Sequence, residues 1–142
     1  MGDKYIVSSD KSLIDVGVVH RFLSEESYWA KNIPLETVQK AIANSLCFGV
    51  YDSGQQVGFA RVISDFTTMA YLSDVFILPE HRGRGLSKKL VQYIIDYPEL
   101  QGLRRWILVT DDAQELYARF GFVNPNKPEK YMHRVWTTSY NG

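Results

Sequence analysis

The chain has 142 residues, with 16 basic and 16 acidic side chains and a 45% hydrophobic share. That length suits one domain spanning 1–142, the hydrophobic share supports a packed core, and the balanced charge supplies no basic field to attract nucleic acid. A single cysteine, Cys47, excludes a disulfide within the chain and fits a reducing compartment.

No apolar run approaches the ~20 residues of a membrane span. The N-terminal MGDKYIVSS lacks the charged and apolar regions of a signal peptide, so a soluble, cytoplasmic protein without membrane contact is expected.

Tyr5 to Val7 reads as a short first strand. Leu13, Val16, Val19, Phe22 and Leu23 recur with helical spacing, which predicts a helix over Ser12 to Leu23. SEESYWAKNIP breaks that pattern and reads as a loop, and Pro34 then opens a second helix from Leu35 to Ser45. Ser45 to Asp52, the turn DSGQ and Val57 to Ser64 form a hairpin pattern, and Thr67 to Leu78 follows as a third consecutive strand. Cys47 falls in the first of these and is expected to be a buried, inert thiol.

After Gly85, Leu86, Leu90, Ile94 and Tyr97 follow a helical period that Pro98 ends. Arg104 to Thr110 reads as a strand, Asp112 to Phe120 as a short helix stopped by Gly121, and Tyr131 to Thr137 as a closing strand, with a short extra strand at Phe122 also allowed. The order is β-α-α-β-β-β-α-β-α-β. It implies a mixed α/β sheet in which an antiparallel meander is joined by a crossover helix to a parallel strand.

One segment, DVFILPEHRGRGLSKKLVQYII, carries a chemical signal. A helix N-terminus bears a partial positive charge of about half an elementary charge, so its first turn should prefer acids. Here Arg82, Arg84, Lys88 and Lys89 crowd it, and no Ser, Thr, Asp or Asn cap precedes it. Backbone N–H groups at Gly83, Gly85 and the following turn, flanked by cations, suit a pyrophosphate. The nucleoside-triphosphate loop spacing is absent. The dinucleotide fingerprint is met at Gly83 and Gly85 but has Lys88 at its third glycine, although Asp111 follows the next strand. A solvated basic helix start with turn glycines is the other reading of the same residues.

A second constellation lies downstream in DAQELYARFGF. With it the chain resembles the GCN5-related N-acetyltransferase (GNAT) superfamily. Arg82 and Gly85 match that family's acetyl-coenzyme-A motif, a Gln or Arg, two residues, Gly, one residue, then Gly or Ala, and Ser87, a departure, stands at its last position. Ala113, Leu116-Tyr117 and Gly121-Phe122 match its second motif in spacing, with Thr110 where an Asn often stands.

The resemblance implies the GNAT fold, acetyl-CoA as cosubstrate and direct attack by an acceptor amine in a ternary complex. It implies that the pantetheine arm pairs with the strand edge near Phe76, Ile77 and Leu78, and that the pyrophosphate sits on Gly83, Arg84, Gly85, Leu86, Ser87 and Lys88 beside Arg82. Thr110 would face the arm, and Tyr117 would protonate the leaving thiolate.

Asp74 lies in the apolar run AYLSDVFIL, where a carboxylate must be partnered or functional. It is the candidate base, or else it orients the acceptor or serves structure. Glu25 and Glu26 are other candidates, and so is a water chain. Tyr28 and Trp29, with Glu25, are expected to wall the acceptor pocket. Arg61 either meets an acceptor carboxylate or, as strand alternation favours, faces solvent. His20, His81 and His133 have no metal-ligand spacing, so no metal is expected.

The expected acceptor is a small-molecule or amino-acid-like amine, with a protein N-terminus or lysine next. A non-catalytic acyl-CoA sensor of the same fold is the alternative function. A homodimer lies within the range of the resemblance.

Overall fold

The computed structural model describes residues 4–137, 139 and 140. Five strands, β1 (Tyr5–Ser8), β2 (Leu46–Asp52), β3 (Gln55–Ser64), β4 (Met69–Ile77) and β5 (Arg105–Ile107), lie side by side in sequence order. The first three pairings are antiparallel and β4–β5 is parallel. The β2–β3 turn places Ser53 and Gly54 at φ 52° and 84°. Two consecutive positive φ angles are what a two-residue hairpin needs to match strand twist.

Among the described residues, four α-helices complete the fold: α1 (Val16–Arg21), α2 (Leu35–Ala43), α3 (Leu86–Ile95) and α4 (Gln114–Ala118). Side-chain alternation on the strands divides the core between two faces of the sheet. Phe48, Val50, Ala60, Val62 and Leu72 join the buried stripe of α3, Leu86, Leu90, Val91 and Ile94. Cys47, Phe59 and Phe76 meet Val19, Phe22, Val38 and Ile42 from the α1 and α2 side. Cys47 is 1% exposed and burial pushes its thiol up to about 11, which makes it inert as expected.

The mixed sheet agrees with the sequence, but four expected elements differ. The helix predicted over Ser12 to Leu23 is broken: a 3₁₀ turn at Lys11–Leu13 precedes α1, and α1 widens into a π turn at Phe22–Glu26. Asp15 caps α1 by accepting from the Val18 N–H at 3.2 Å, so helix starts there and not at Ser12. The strand predicted over Arg104 to Thr110 is only three residues long.

The closing strand predicted over Tyr131 to Thr137 does not form among the described residues, nor does the short one at Phe122. Phe122 instead sets its ring edge-on to Trp106 of β5, centroids 6.4 Å apart. The Tyr131 ring lies 5.9 Å from the Arg105 guanidinium carbon, and the chain then leaves the sheet with Met132 and Trp136 94% and 93% exposed. Alternation favours a strand only where a neighbouring edge receives it.

Candidate active site

The β4–β5 ladder stops at Tyr71↔Ile107, while β4 continues to Ile77. From Leu72 onward the β5-facing edge of β4 therefore has no strand neighbour among the described residues. The divergence is reinforced by a bulge. Phe59 pairs with Phe76 and Arg61 with Ser73, so Ala60 alone faces Asp74 and Val75. Asp74 takes the left-handed conformation at φ 54°, a state that Asp tolerates better than most residues and that bends the bulged strand.

A cavity of about 340 Å³ opens at this point, bounded by Tyr71–Val75 of β4, the loop 108–113, Tyr117 of α4, and Tyr28 and Trp29. A larger groove of about 680 Å³ runs from Lys89 of α3 to Glu99; Lys89 is the one cation of the helix start that lines it, and Asp74, Tyr117, Tyr28 and Trp29 do not.

Asp74 is anchored from two sides. Trp29 Nε1 donates to Oδ1 at 2.9 Å, and Arg61 Nε donates to Oδ2 at 2.9 Å. The Asp74 and Arg61 side chains are 11% and 17% exposed, and Arg61 Nη1 also donates to Ser45 Oγ at 3.1 Å. The expectation that Arg61 faces solvent is therefore corrected. A buried carboxylate at a bulge draws the cation inward, because the two charges share the cost of leaving water.

Tyr28 and Trp29 both reach the cavity, and their rings meet edge to face at 5.0 Å. The Tyr28 hydroxyl accepts from the Asp111 N–H at 3.1 Å. This dipeptide thus ties the loop after the π turn to β4 on one side of the gap and to the β5–α4 loop on the other. Glu25 is not brought to the cavity. It sits exposed on the π turn, where its carbonyl accepts from Lys31 Nζ at 3.1 Å. Glu26 lies on the same turn.

Tyr117 is 8% exposed and lines the cavity, yet its hydroxyl has no hydrogen-bond partner among the described residues. Burial, with smaller effects from Tyr28 and Asp112, pushes its phenol up to about 12. It is therefore protonated at neutral pH and can donate. Thr110 Oγ1 accepts from the Ala113 N–H at 3.1 Å, so it holds the entry to α4, a role the sequence did not suggest.

The glycine loop lies beyond the end of β4. Gly83 and Gly85 have φ 79° and 74°, and a Cβ added at either would meet nothing within 4 Å. Gly85 is the N-cap of α3; no side chain caps that helix and no acid occupies its first turn. Its first amides thus line an open cradle, the geometry an anionic group requires.

The surrounding cations are partly committed. Arg82 Nε donates to the Ile77 carbonyl at 3.0 Å, and Arg84 Nη1 donates to the Tyr5 hydroxyl at 2.7 Å. That hydroxyl also lies 3.0 Å from His81 Nδ1, and Lys89 Nζ donates to the Tyr5 carbonyl at 2.6 Å. Tyr5 of β1 is thus an anchor for the loop that sequence reading missed, because its partners are far away in the chain. Lys88 is exposed, and Ser87 is half-buried at the helix start.

Leu86, Phe76 and Ile77 have buried side chains, and the Phe76 ring stacks on Phe22 at 4.0 Å. Only their backbones are available to a ligand. The Leu78 N–H is already bonded to the Val57 carbonyl at 2.8 Å.

Comparison with known proteins bears on this arrangement. The acetyltransferase (GNAT) family matches residues 17–122. FG08082 of Gibberella zeae, a provisionally named acetyltransferase, is 34% identical over 137 residues, covering 81% of this chain and 76% of its own. A crystal structure from Xanthomonas campestris pv. campestris, provisionally assigned to the GNAT acetyltransferases, is 56% identical with a TM-score of 0.91 over 94% of each chain. A more distant neighbour from Clostridium acetobutylicum, solved with acetyl-CoA, shares the fold at TM-score 0.66 and 16% identity, covering 92% of this chain and 94% of its own. The chain belongs to the acetyltransferase (GNAT) family.

Proposed function

We propose that this family member transfers acetyl from acetyl-CoA to a primary amine of a small molecule. One observation carries the reading: a nine-tenths buried, unpartnered phenol, Tyr117, lines the cavity where β4 and β5 diverge. A hydroxyl that no protein group engages is free to donate to a ligand atom in that cavity.

The residues present fit the cosubstrate. Gly83, Gly85 and the uncapped start of α3 form an open cradle suited to a pyrophosphate, with Arg82, Arg84 and Lys88 around it. The unpaired edge of β4 offers backbone groups to an amide-bearing arm. Bound acetyl-CoA would supply an activated acyl carbon and a thiolate leaving group. Backbone N–H groups of β4 would then stabilise charge on the acyl oxygen, an effect typically worth about 3–4 kcal/mol.

Tyr117 supplies the proton the leaving sulfur requires. Asp74 orients the acceptor. Its oxygens offer about four acceptor sites, of which Trp29 and Arg61 occupy two. With Arg61 already meeting its charge, Asp74 serves better as an anchor than as a proton acceptor, and the ammonium proton leaves through water at the cavity mouth. Tyr28 and Trp29 wall the acceptor side.

Calorimetric titration with acetyl-CoA, with NADH as control, tests the cosubstrate, and thiol release in the presence of an amine panel tests turnover. Binding with turnover is expected. Binding without turnover on any amine would replace this reading with a sensor; preference for NADH would discard both.

A further inference from the structure

Gly83 and Gly85 give the loop before α3 its turn but nothing to hold that turn in place. Both have positive φ, and the space beside each is open. Glycine also loses the most conformational freedom when a loop is ordered. No side chain caps α3 at Gly85. The shape of the cradle is therefore set by side chains that reach away from it.

One residue supplies such contacts on both sides of the N-cap. Tyr5 of β1 is 6% exposed. Its hydroxyl accepts from Nη1 of Arg84, the residue before Gly85, at 2.7 Å. Its carbonyl accepts from Nζ of Lys89, in the first turns of α3, at 2.6 Å. The same hydroxyl lies 3.0 Å from Nδ1 of His81, at the loop's entry, and the two rings meet edge to face at 5.8 Å. Tyr5 is itself fixed. It pairs with Asp52 of β2, and its ring belongs to the core that contains Leu86 and Leu90 of α3.

A guanidinium has five N–H donors in a planar fork. Among the described residues, the bond to Tyr5 is the one hydrogen bond that Arg84 donates from its side chain. The fork is thus tethered at one corner, and its remaining donors are open to an anion. A tethered arginine has less rotamer freedom to lose when phosphate oxygens arrive. Resting on the acetyl-CoA reading above, we infer that Tyr5 is a positioning residue for the cosubstrate: its hydroxyl holds the Arg84 guanidinium beside the cradle, so that the pyrophosphate meets a fork already in place. Tyr5 does not line the cavity that holds Tyr117 and Asp74, so it acts on affinity and not on the chemical step.

The test measures Kd for acetyl-CoA and for S-acetylpantetheine, a thioester without the pyrophosphate, in the wild type, Tyr5→Phe, Arg84→Ala and the double variant. Tyr5→Phe keeps the buried ring and the carbonyl that Lys89 binds. Its Kd for acetyl-CoA is expected to rise about three- to tenfold, with Kd for S-acetylpantetheine unchanged and kcat at saturating acetyl-CoA held within about twofold. In the Arg84→Ala background the same change should add nothing, since the hydroxyl acts through Arg84. Arg84 is exposed, so Arg84→Ala alone serves should Tyr5→Phe fail to fold; it too should weaken acetyl-CoA and spare S-acetylpantetheine. An unchanged Kd for acetyl-CoA in either single variant, an equal loss with S-acetylpantetheine, or the same Tyr5→Phe loss in both backgrounds overturns the inference and leaves acetyl-CoA binding standing. A wild type that binds no acetyl-CoA would instead overturn the reading on which it rests.

Discussion

Tyr117→Phe removes one hydroxyl from a ring that is 8% exposed and packed edge-on against Phe122 at 5.9 Å. The ring's packing survives the change. The hydroxyl has no partner among the described residues, so its loss breaks no hydrogen bond within them, and thermal stability should change by less than about 1 kcal/mol. Activity should move the other way. A positioned general acid typically contributes ~10²–10⁴-fold, and kcat should fall within that range. Burial pushes the phenol up to about 12, so the wild type keeps its acid throughout the range in which amines become nucleophilic. The rate should therefore climb with pH as the acceptor deprotonates, with no loss near pH 10. Calorimetric Kd for acetyl-CoA, thermal melts and a pH–rate profile check the three statements. Full kcat in the variant, or a loss of coenzyme affinity as large as the loss of rate, would refute the acid role.

Gly85→Val forces a β-branched residue into φ 74° and places its side chain in the open cradle. Stability should drop by about 1–2 kcal/mol, and acetyl-CoA affinity should fall more than tenfold. Gly102→Val, at φ 78° with equally open surroundings, is the control that should lose stability and keep its affinity. Asp74→Asn tolerates the left-handed bulge but leaves Arg61 unpaired at 17% exposure. A loss of about 1–3 kcal/mol in thermal melts is expected, with a higher KM for the acceptor and an unchanged Kd for acetyl-CoA; a fall in kcat alone would argue for a base. Alkaline titration tests three buried groups together. Cys47 is raised from 9.0 to about 11, and Tyr51 and Tyr117 from 10.0 to about 12. Each folded value lies above the unfolded one, so the unfolded chain gives up its protons first. The stability they contribute is intact below pH 9 and is lost progressively as pH rises toward 12. Denaturant melts across this range should show the decline, and Tyr117→Phe should flatten the portion above pH 10.

What could be read from sequence was what depends on neighbours in the chain. The hairpin at DSGQ, the stripe of α3 and the two spaced motifs are local patterns, and their elements lie where expected. Tyr117, singled out by its motif, and the Tyr28–Trp29 pair, singled out as aromatic residues of one loop, line the same cavity. What escaped was set by contacts across the fold. Arg61 looked solvent-facing because alternation says which face a side chain takes, not which charge awaits it there. Tyr5 looked like an ordinary strand residue, because its bond to Arg84 spans 79 positions. The strand expected at Tyr131 to Thr137 had the right alternation, but β5 is too short to receive it along its length. Glu25 was placed by proximity to Tyr28 in sequence, and the π turn carries it elsewhere.

The bulge at Asp74 is held by ladder pairs on both sides, Arg61 with Ser73 and Phe59 with Phe76. The opening between β4 and β5 is thus written into the sheet before any ligand arrives. Entry of a cosubstrate costs no free energy of strand separation, and no minor population must first be selected. Association should accordingly be a single fast phase at all concentrations, and the backbone around the cavity should superpose closely between the free and the occupied protein.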